Sequence, residues 1–252
     1  MPDSDLERFS DLSFEDFRRL ANDLEISKYN RIGFPDSYRE GYESAILKDI
    51  RDKLPGIEKR NQVVLDIGPG CSDLPLYLVD LCCKQDHALI QVDSAEMLSH
   101  LPDHEFVRKI EGSFPDCMEA LRGCAPDGVD IIVCYSVLHY VFMDHDLGAF
   151  AAAAVSLLRP GGEMLLGDIP NVSKRKRFFS SEQGKQFHRA FSGLDEDPME
   201  LSTESEDGKI NDAVILDLLA VFRKLGTDGY VLPQAEGLPM ANRREDILVR
   251  KN

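Results

Sequence analysis

Val63-Val64-Leu65-Asp66-Ile67-Gly68-Pro69-Gly70 is the stretch on which the fold turns. Five residues, apolar except for Asp66, run directly into two glycines around a proline. The run has the length of a strand, and its near-continuous apolarity suits a strand covered on both faces. Gly68 and Gly70 let the backbone turn tightly and approach a ligand closely. A helix is expected over about 73–83, with Pro75 tolerated in its first turn, so unpaired N–H groups would face whatever the glycines admit. Further strands are expected at 88–92, 106–110, 130–134 and 163–167, with helices over 95–101 and 146–158 and a helix or loop over 114–123. Strand and helix alternating in this way means parallel strands joined by crossover helices. The amphipathic segment 210–225 reads as a helix stopped by Gly226. Runs 229–232 and 246–250 follow with no helix between them, so they should pair antiparallel at one edge. The expected architecture is α/β: a doubly wound seven-stranded sheet, mostly parallel with an antiparallel final strand, and helices on both faces.

Upstream, Ser13 and Asp16 suggest a capped helix over 13–24, and Ser37 with Glu40 a second over 38–54. The stretch 27–36, with Gly33 and Pro35, reads as a loop. Residues 1–60 thus form an N-terminal helical segment or lid, and 61–252 the main domain, with an insertion at about 172–209.

The 252 residues carry 29 Lys+Arg against 45 Asp+Glu, a net charge of −16. That balance argues against nucleic-acid backbones and anionic membranes as partners. No apolar run approaches the ~20 residues of a membrane-spanning helix, and the acidic start Met1-Pro2-Asp3-Ser4-Asp5 does not resemble a signal peptide. The six Cys show no CxxC spacing, so reduced thiols in a cytoplasmic protein are expected.

Asp93 ends the second expected strand, where doubly wound folds place the acid that accepts from ribose hydroxyls. Alone, an acid there is usually a helix cap. Joined to the glycine turn some 20 residues earlier it indicates a ribose-bearing cofactor. The dinucleotide fingerprint wants a third glycine, and Asp73 stands in that place. An acid there disfavours pyrophosphate and NAD, and suits a phosphate-free cationic cofactor.

These segments resemble class I S-adenosylmethionine-dependent methyltransferases. Val64 through Gly70 is similar to their glycine motif, and Val92-Asp93-Ser94-Ala95-Glu96-Met97-Leu98 to their second motif. Val129 through His139 is similar to the fourth-strand motif, and Leu158-Arg159-Pro160-Gly161-Gly162 to the turn before the fifth strand. Gly237-Leu238-Pro239 through Val249 is similar to the closing strand pair. The resemblance covers 60–170 most fully and 210–252 in part.

It implies S-adenosyl-L-methionine as cofactor, with Asp66, Gly68 and Gly70 along the methionine moiety and Asp93 on the ribose. Ser94 and Met97 would border the adenine, Gly112, Ser113 and Phe114 would reach its edge, and Tyr135 and Ser136 would face the transferable methyl. Arg31 or Arg39 would pair with the methionine carboxylate. Where many members have Gly-Asp, this chain has Gly112-Ser113, so Ser113 would bond through its hydroxyl.

His139 and Asp168 are the candidate general bases, and no metal is expected, since Ser136 and the separated Asp168 and Asn171 break the metal-dependent pattern. Segment 171–190 holds six Lys/Arg against one Glu, and 191–209 holds seven acids against one Lys. Tyr38, Arg175, Arg177 and His188 are the candidate acceptor-binding residues. The expected reaction is methyl transfer to a small polar metabolite at a hydroxyl, sugar-like or anionic. The alternatives are a protein or peptide methyltransferase, or a non-catalytic S-adenosylmethionine-binding regulatory subunit.

Overall fold

In the computed structural model the strands are β1 (Val63–Ile67), β2 (Ala88–Asp93), β3 (Val107–Glu111), β4 (Val129–Tyr135), β5 (Leu158–Pro170), β6 (Thr227–Pro233) and β7 (Arg244–Lys251). The structure describes residues 9, 12–193, 198, 202–203 and 205–252. One sheet takes all seven strands in the order β3-β2-β1-β4-β5-β7-β6. The first five run parallel, and β7 lies antiparallel to both β5 and β6. Strand order reverses between β1 and β4, which opens a crevice at their C-terminal ends, where open α/β sheets bind ligands.

Alternation along β1 sorts its side chains. Leu65 and Ile67 join a core with Phe150, Leu218 and Phe222, beneath the helices Leu147–Leu157 and Asp212–Lys224. Val64 joins the opposite core with Ile50 and Leu78, beneath Glu43–Lys53 and Leu74–Lys84. By the same alternation Asp66 faces this second core.

The N-terminal segment departs from expectation. Phe14–Asn22 is a helix closed by a true capping box, Ser13 with Asp16. The expected loop 27–36 contains a one-turn helix, Lys28–Arg31, capped by Ser27. The expected cap at Ser37 is not used: Asp36–Tyr38 is a 3-10 turn and the helix begins only at Glu43. Tyr38 and Arg39 are instead drawn into the protein, both nearly fully buried, so tertiary contacts override the local cap. The 95–101 helix stops at Leu98, and the uncertain 114–123 segment holds the helix Met118–Cys124.

The insertion carries two helices, Val172–Ser180 and Glu182–Ser192. Of its acidic stretch, Asp195, Glu196, Asp197, Glu200 and Glu204 lie outside the described residues, as do Met1 to Asp5. Among the described residues no helix is long and apolar enough to cross a membrane.

Candidate active site

The crevice at the C-terminal ends of β1, β2 and β4 is a cleft of about 980 Å³, part of it open to solvent. Its floor is the loop after β1. Gly68 and Gly70 both sit at positive φ, 69° and 65°. A Cβ on Gly70 would come within 2.6 Å of Ile32, and one on Gly68 would meet Val137. These glycines therefore allow both the turn and the close approach of neighbouring segments.

Asp93 closes the loop from the β2 side. One carboxylate oxygen accepts the Gly70 amide at 3.0 Å, the other the Ser94 amide at 2.7 Å. Burial outweighs these bonds and raises its pKa to about 6. Met97, Gly112, Ser113 and Phe114 continue the lining, and Tyr135, Ser136 and Arg39 complete it on the β4 side. Ser94 is not among the lining residues; its hydroxyl caps the Met97 amide. Ser113 donates to Asp116 at 2.7 Å.

The N-terminal segment supplies the roof: Phe14, Phe17, Ile32 and Phe34 all line the cleft. Tyr140 lines it too and meets Phe17 edge-on at 4.7 Å. The sequence reading placed none of these five at the site. The spacing of Phe14 and Phe17 on an amphipathic helix was the available signal, but it marks an apolar face without saying what the face covers.

Arg39 enters from the roof and ends on the strand tips. It is 3% exposed, donates through one Nη to Ser136 and lies 3.8 Å from the Asp168 carboxylate. Its guanidinium stacks over Phe34 at 4.2 Å. Its Nε and other Nη donate to no described residue. Ser136 in turn donates to Asp168 at 2.6 Å. Ser136 and Asp168 both adopt positive φ, 62° and 58°, an uncommon geometry outside glycine that clusters at functional sites. Gln234 reaches Asp168 and Asp246, and Asp246 pairs with Lys53 at 2.6 Å. Burial would raise the Asp168 pKa, but the charges of Arg244 and Arg39 and the bonds from Ser136 and Gln234 hold it below the ordinary value.

Neither candidate base lines the cleft. Asp168 borders a smaller adjoining pocket with Tyr38 and Arg39. His139 lies against Tyr140 with the rings tilted by 43°, its Nδ1 is buried without a partner among the described residues, and burial and Arg244 lower its pKa to about 3. Asp66 also lies outside the cleft, in a small pocket behind the glycine loop, and burial with the Asp93 charge raises its pKa to about 7. Arg31 donates to the Asp23 and Ile26 carbonyls and does not line the cleft.

Asp73 is held by an ion pair. It pairs with Lys28 at 2.6 Å and is not among the residues lining the cleft. The group at the start of the Leu74–Lys84 helix is Glu43, whose carboxylate accepts the Leu74 amide at 2.7 Å. A phosphate held at this helix end, as in dinucleotide sites, would have to displace a buried acid.

The 172–209 candidates lie elsewhere. Arg177 pairs with Asp212 and borders a shallow groove with Lys176 and Glu206. His188 packs edge-on to Phe179. Neither these two nor Arg175 is among the residues lining the cleft.

No protein-family profile and no curated protein sequence matches the chain. Solved structures do. The plantazolicin methyltransferase BpumL, solved with a triazolic desmethylPZN analog and SAH, aligns over 99% of both chains at TM-score 0.57 and 12% identity. An O-methyltransferase family protein from Burkholderia thailandensis aligns over 99% of this chain and 67% of its own, at TM-score 0.54 and 16% identity. The CurJ carbon methyltransferase aligns over 98% of this chain and 65% of its own, at TM-score 0.54 and 18% identity. Sheet order, the antiparallel β7 and the glycine loop under a strand-end cleft agree with these likenesses: the chain has the fold of the class I S-adenosylmethionine-dependent methyltransferases.

Proposed function

We propose that this chain is an S-adenosylmethionine-dependent methyltransferase acting on a small-molecule acceptor at a hydroxyl. The observation that carries the reading is the cleft's floor: a glycine loop tied to a strand-end acid, beside a helix start already taken by Glu43. That combination suits a nucleoside without phosphate. The residues fit such a cofactor. Asp93 would hold the ribose hydroxyls, Met97 and Phe114 would sandwich the base, and the unpartnered N–H groups of Arg39 would take the methionyl carboxylate.

The cofactor supplies a sulfonium methyl with a good leaving group. What the protein must add is alignment and exclusion of water, and these alone lower such a barrier substantially. The segment from Phe14 to Phe34 acts as the lid, with Phe14, Phe17, Ile32 and Phe34 roofing the cleft. Asp168 acts indirectly, fixing Ser136 and Arg39 where the methyl would be presented. The apolar roof favours an acceptor with an apolar or aromatic body and a polar head, and the displaced basic cluster removes the argument for an anionic one. Six free thiols support a reducing, cytoplasmic setting.

Calorimetry with S-adenosylmethionine, S-adenosylhomocysteine and NAD tests the cofactor, and comparable NAD binding refutes it. Methyl transfer from labelled cofactor to small-molecule and protein fractions then tests the acceptor class. One observation favours a second reading, a cofactor-binding subunit without activity: neither candidate base borders the cleft. Tight cofactor binding with no transfer across a broad acceptor panel would select it.

A further inference from the structure

β6 ends the sheet beyond β7, and among the described residues no strand pairs with its far side. Its middle is apolar on both faces, with Tyr230 44% and Val231 39% exposed. Its one charge, Asp228, lies near its start. The opposite edge is different: β3 carries Arg108, Lys109 and Glu111, the kind of charge that guards an open strand.

Two observations fix which backbone groups face outward. Arg223 donates to the Gly229 carbonyl at 3.4 Å. Pro233, of the same parity, has no N–H, and an edge strand turns such a position away from its neighbour. Residues 227, 229, 231 and 233 therefore present their backbone groups to the open side. The helix Asp212–Lys224 lies over this edge, since a Cβ on Gly229 would stand 3.0 Å from Leu219. Leu216, on the same stripe as Leu219 and Arg223, is 63% exposed. An apolar ledge thus runs beside the unpaired strand.

We propose that β6 pairs with β6 of a second copy, antiparallel about a two-fold axis at Tyr230, and joins two sheets into one. Full overlap of Thr227–Pro233 with itself sets 227 against 233 and leaves Tyr230 on the axis. The same overlap sets Val231 against Gly229 of the partner subunit, a branched side chain beside a position that has none. These pairs exchange two bonds each, whereas Pro233 can only accept, so the ladder stops where the strand does. Charge agrees with this register. Lys224 and Glu236, both exposed, each lie three residues outside the strand. The axis brings Lys224 to the same end as Glu236 of the partner subunit, and does so at both ends. An unrelated strand could take the backbone bonds, but this match of shape and charge belongs to a second copy of the chain.

Sedimentation velocity tests the proposal on the full chain. Wild type should pass from monomer to dimer between about 1 and 100 μM, as suits a small interface. Tyr230→Lys sets two like charges face to face on the axis and should weaken the dimer at least about tenfold. Circular dichroism should not change, because Tyr230 is exposed. Lys224→Glu should weaken the dimer about three- to tenfold, since the axis repeats an exposed pair. Adding Glu236→Lys should restore it.

A chain that stays monomeric over this range overturns the proposal. A dimer that Tyr230→Lys leaves intact uses another face and overturns it too, as does assembly beyond two copies, which a two-fold edge contact excludes. If Tyr230→Lys does not fold, the charge exchange outside the strand still decides: no loss in Lys224→Glu, or no recovery in the double variant, refutes the pairing.

Discussion

Asp66→Asn should make the protein more stable at alkaline pH and nearly indifferent to pH around the same site. Asp66 is 5% exposed, lies on β1 opposite the buried Gln91 of β2, and pairs with no cation among the described residues. Burial, and then the Asp93 charge, lifts its pKa from 3.8 to about 7. The folded state therefore holds a proton that the unfolded chain has already released. The sign follows: its contribution to stability is complete below about pH 4 and is lost as pH rises through about 7. At 1.36 kcal/mol per pH unit the full loss is about 4 kcal/mol. Of this, about 2 kcal/mol falls between about pH 5.5 and the plateau above pH 7. Asparagine matches the protonated acid in shape and never ionises. Urea unfolding of both proteins from about pH 5.5 to 8.5 measures the difference, and other titrating groups largely cancel in it. The gap in favour of the variant should widen by about 2 kcal/mol as pH rises. Two stability profiles that run parallel would refute the reasoning.

Asp93→Ala should weaken S-adenosylhomocysteine binding by about 1.5–3 kcal/mol while circular dichroism stays unchanged, because a strand-end acid contributes little to the core; calorimetry measures it. Gly70→Ala should lower affinity and melting temperature together, since the new Cβ meets Ile32 at 2.6 Å on a backbone at φ 65°. Ser136→Ala should reduce unfolding free energy by about 1–3 kcal/mol in urea titration, because it strips the hydroxyl that joins buried Arg39 to Asp168. Arg177→Gln should change stability by less than about 1 kcal/mol and leave cofactor affinity alone, since its pairing with Asp212 is solvent-exposed and off the cleft.

What was legible in the sequence was what neighbouring residues decide among themselves. β1 to β5, the glycine turn and Asp93 are each written in a few consecutive residues, because strand burial and turn geometry are local constraints. The lid was not legible in this sense. Ser37 and Glu40 form a good local start for a helix, yet Tyr38 and Arg39 lie buried against residues roughly a hundred or more positions away. Glu43 was invisible as the group that caps the Leu74–Lys84 helix because its meaning depends on Leu74, 31 residues later. The basic run at 174–177 misled for a related reason. A charge pattern records sign and spacing, but the direction each side chain faces is set by packing, here towards Asp212 and Glu206.

The place of β7 in the sheet governs the order in which the molecule can be assembled. It lies between β5 and β6, although it follows both in the chain. A ribosome that has released residues up to 233 has delivered every other strand, but β6 has no partner and β5 has an open inner edge. Lys53 likewise waits for Asp246, 193 residues downstream. Pairings of such separation form slowly, and an open strand edge invites other chains while it waits. Folding is therefore completed by its last long strand, and the nascent protein is most in need of a chaperone just before that strand emerges.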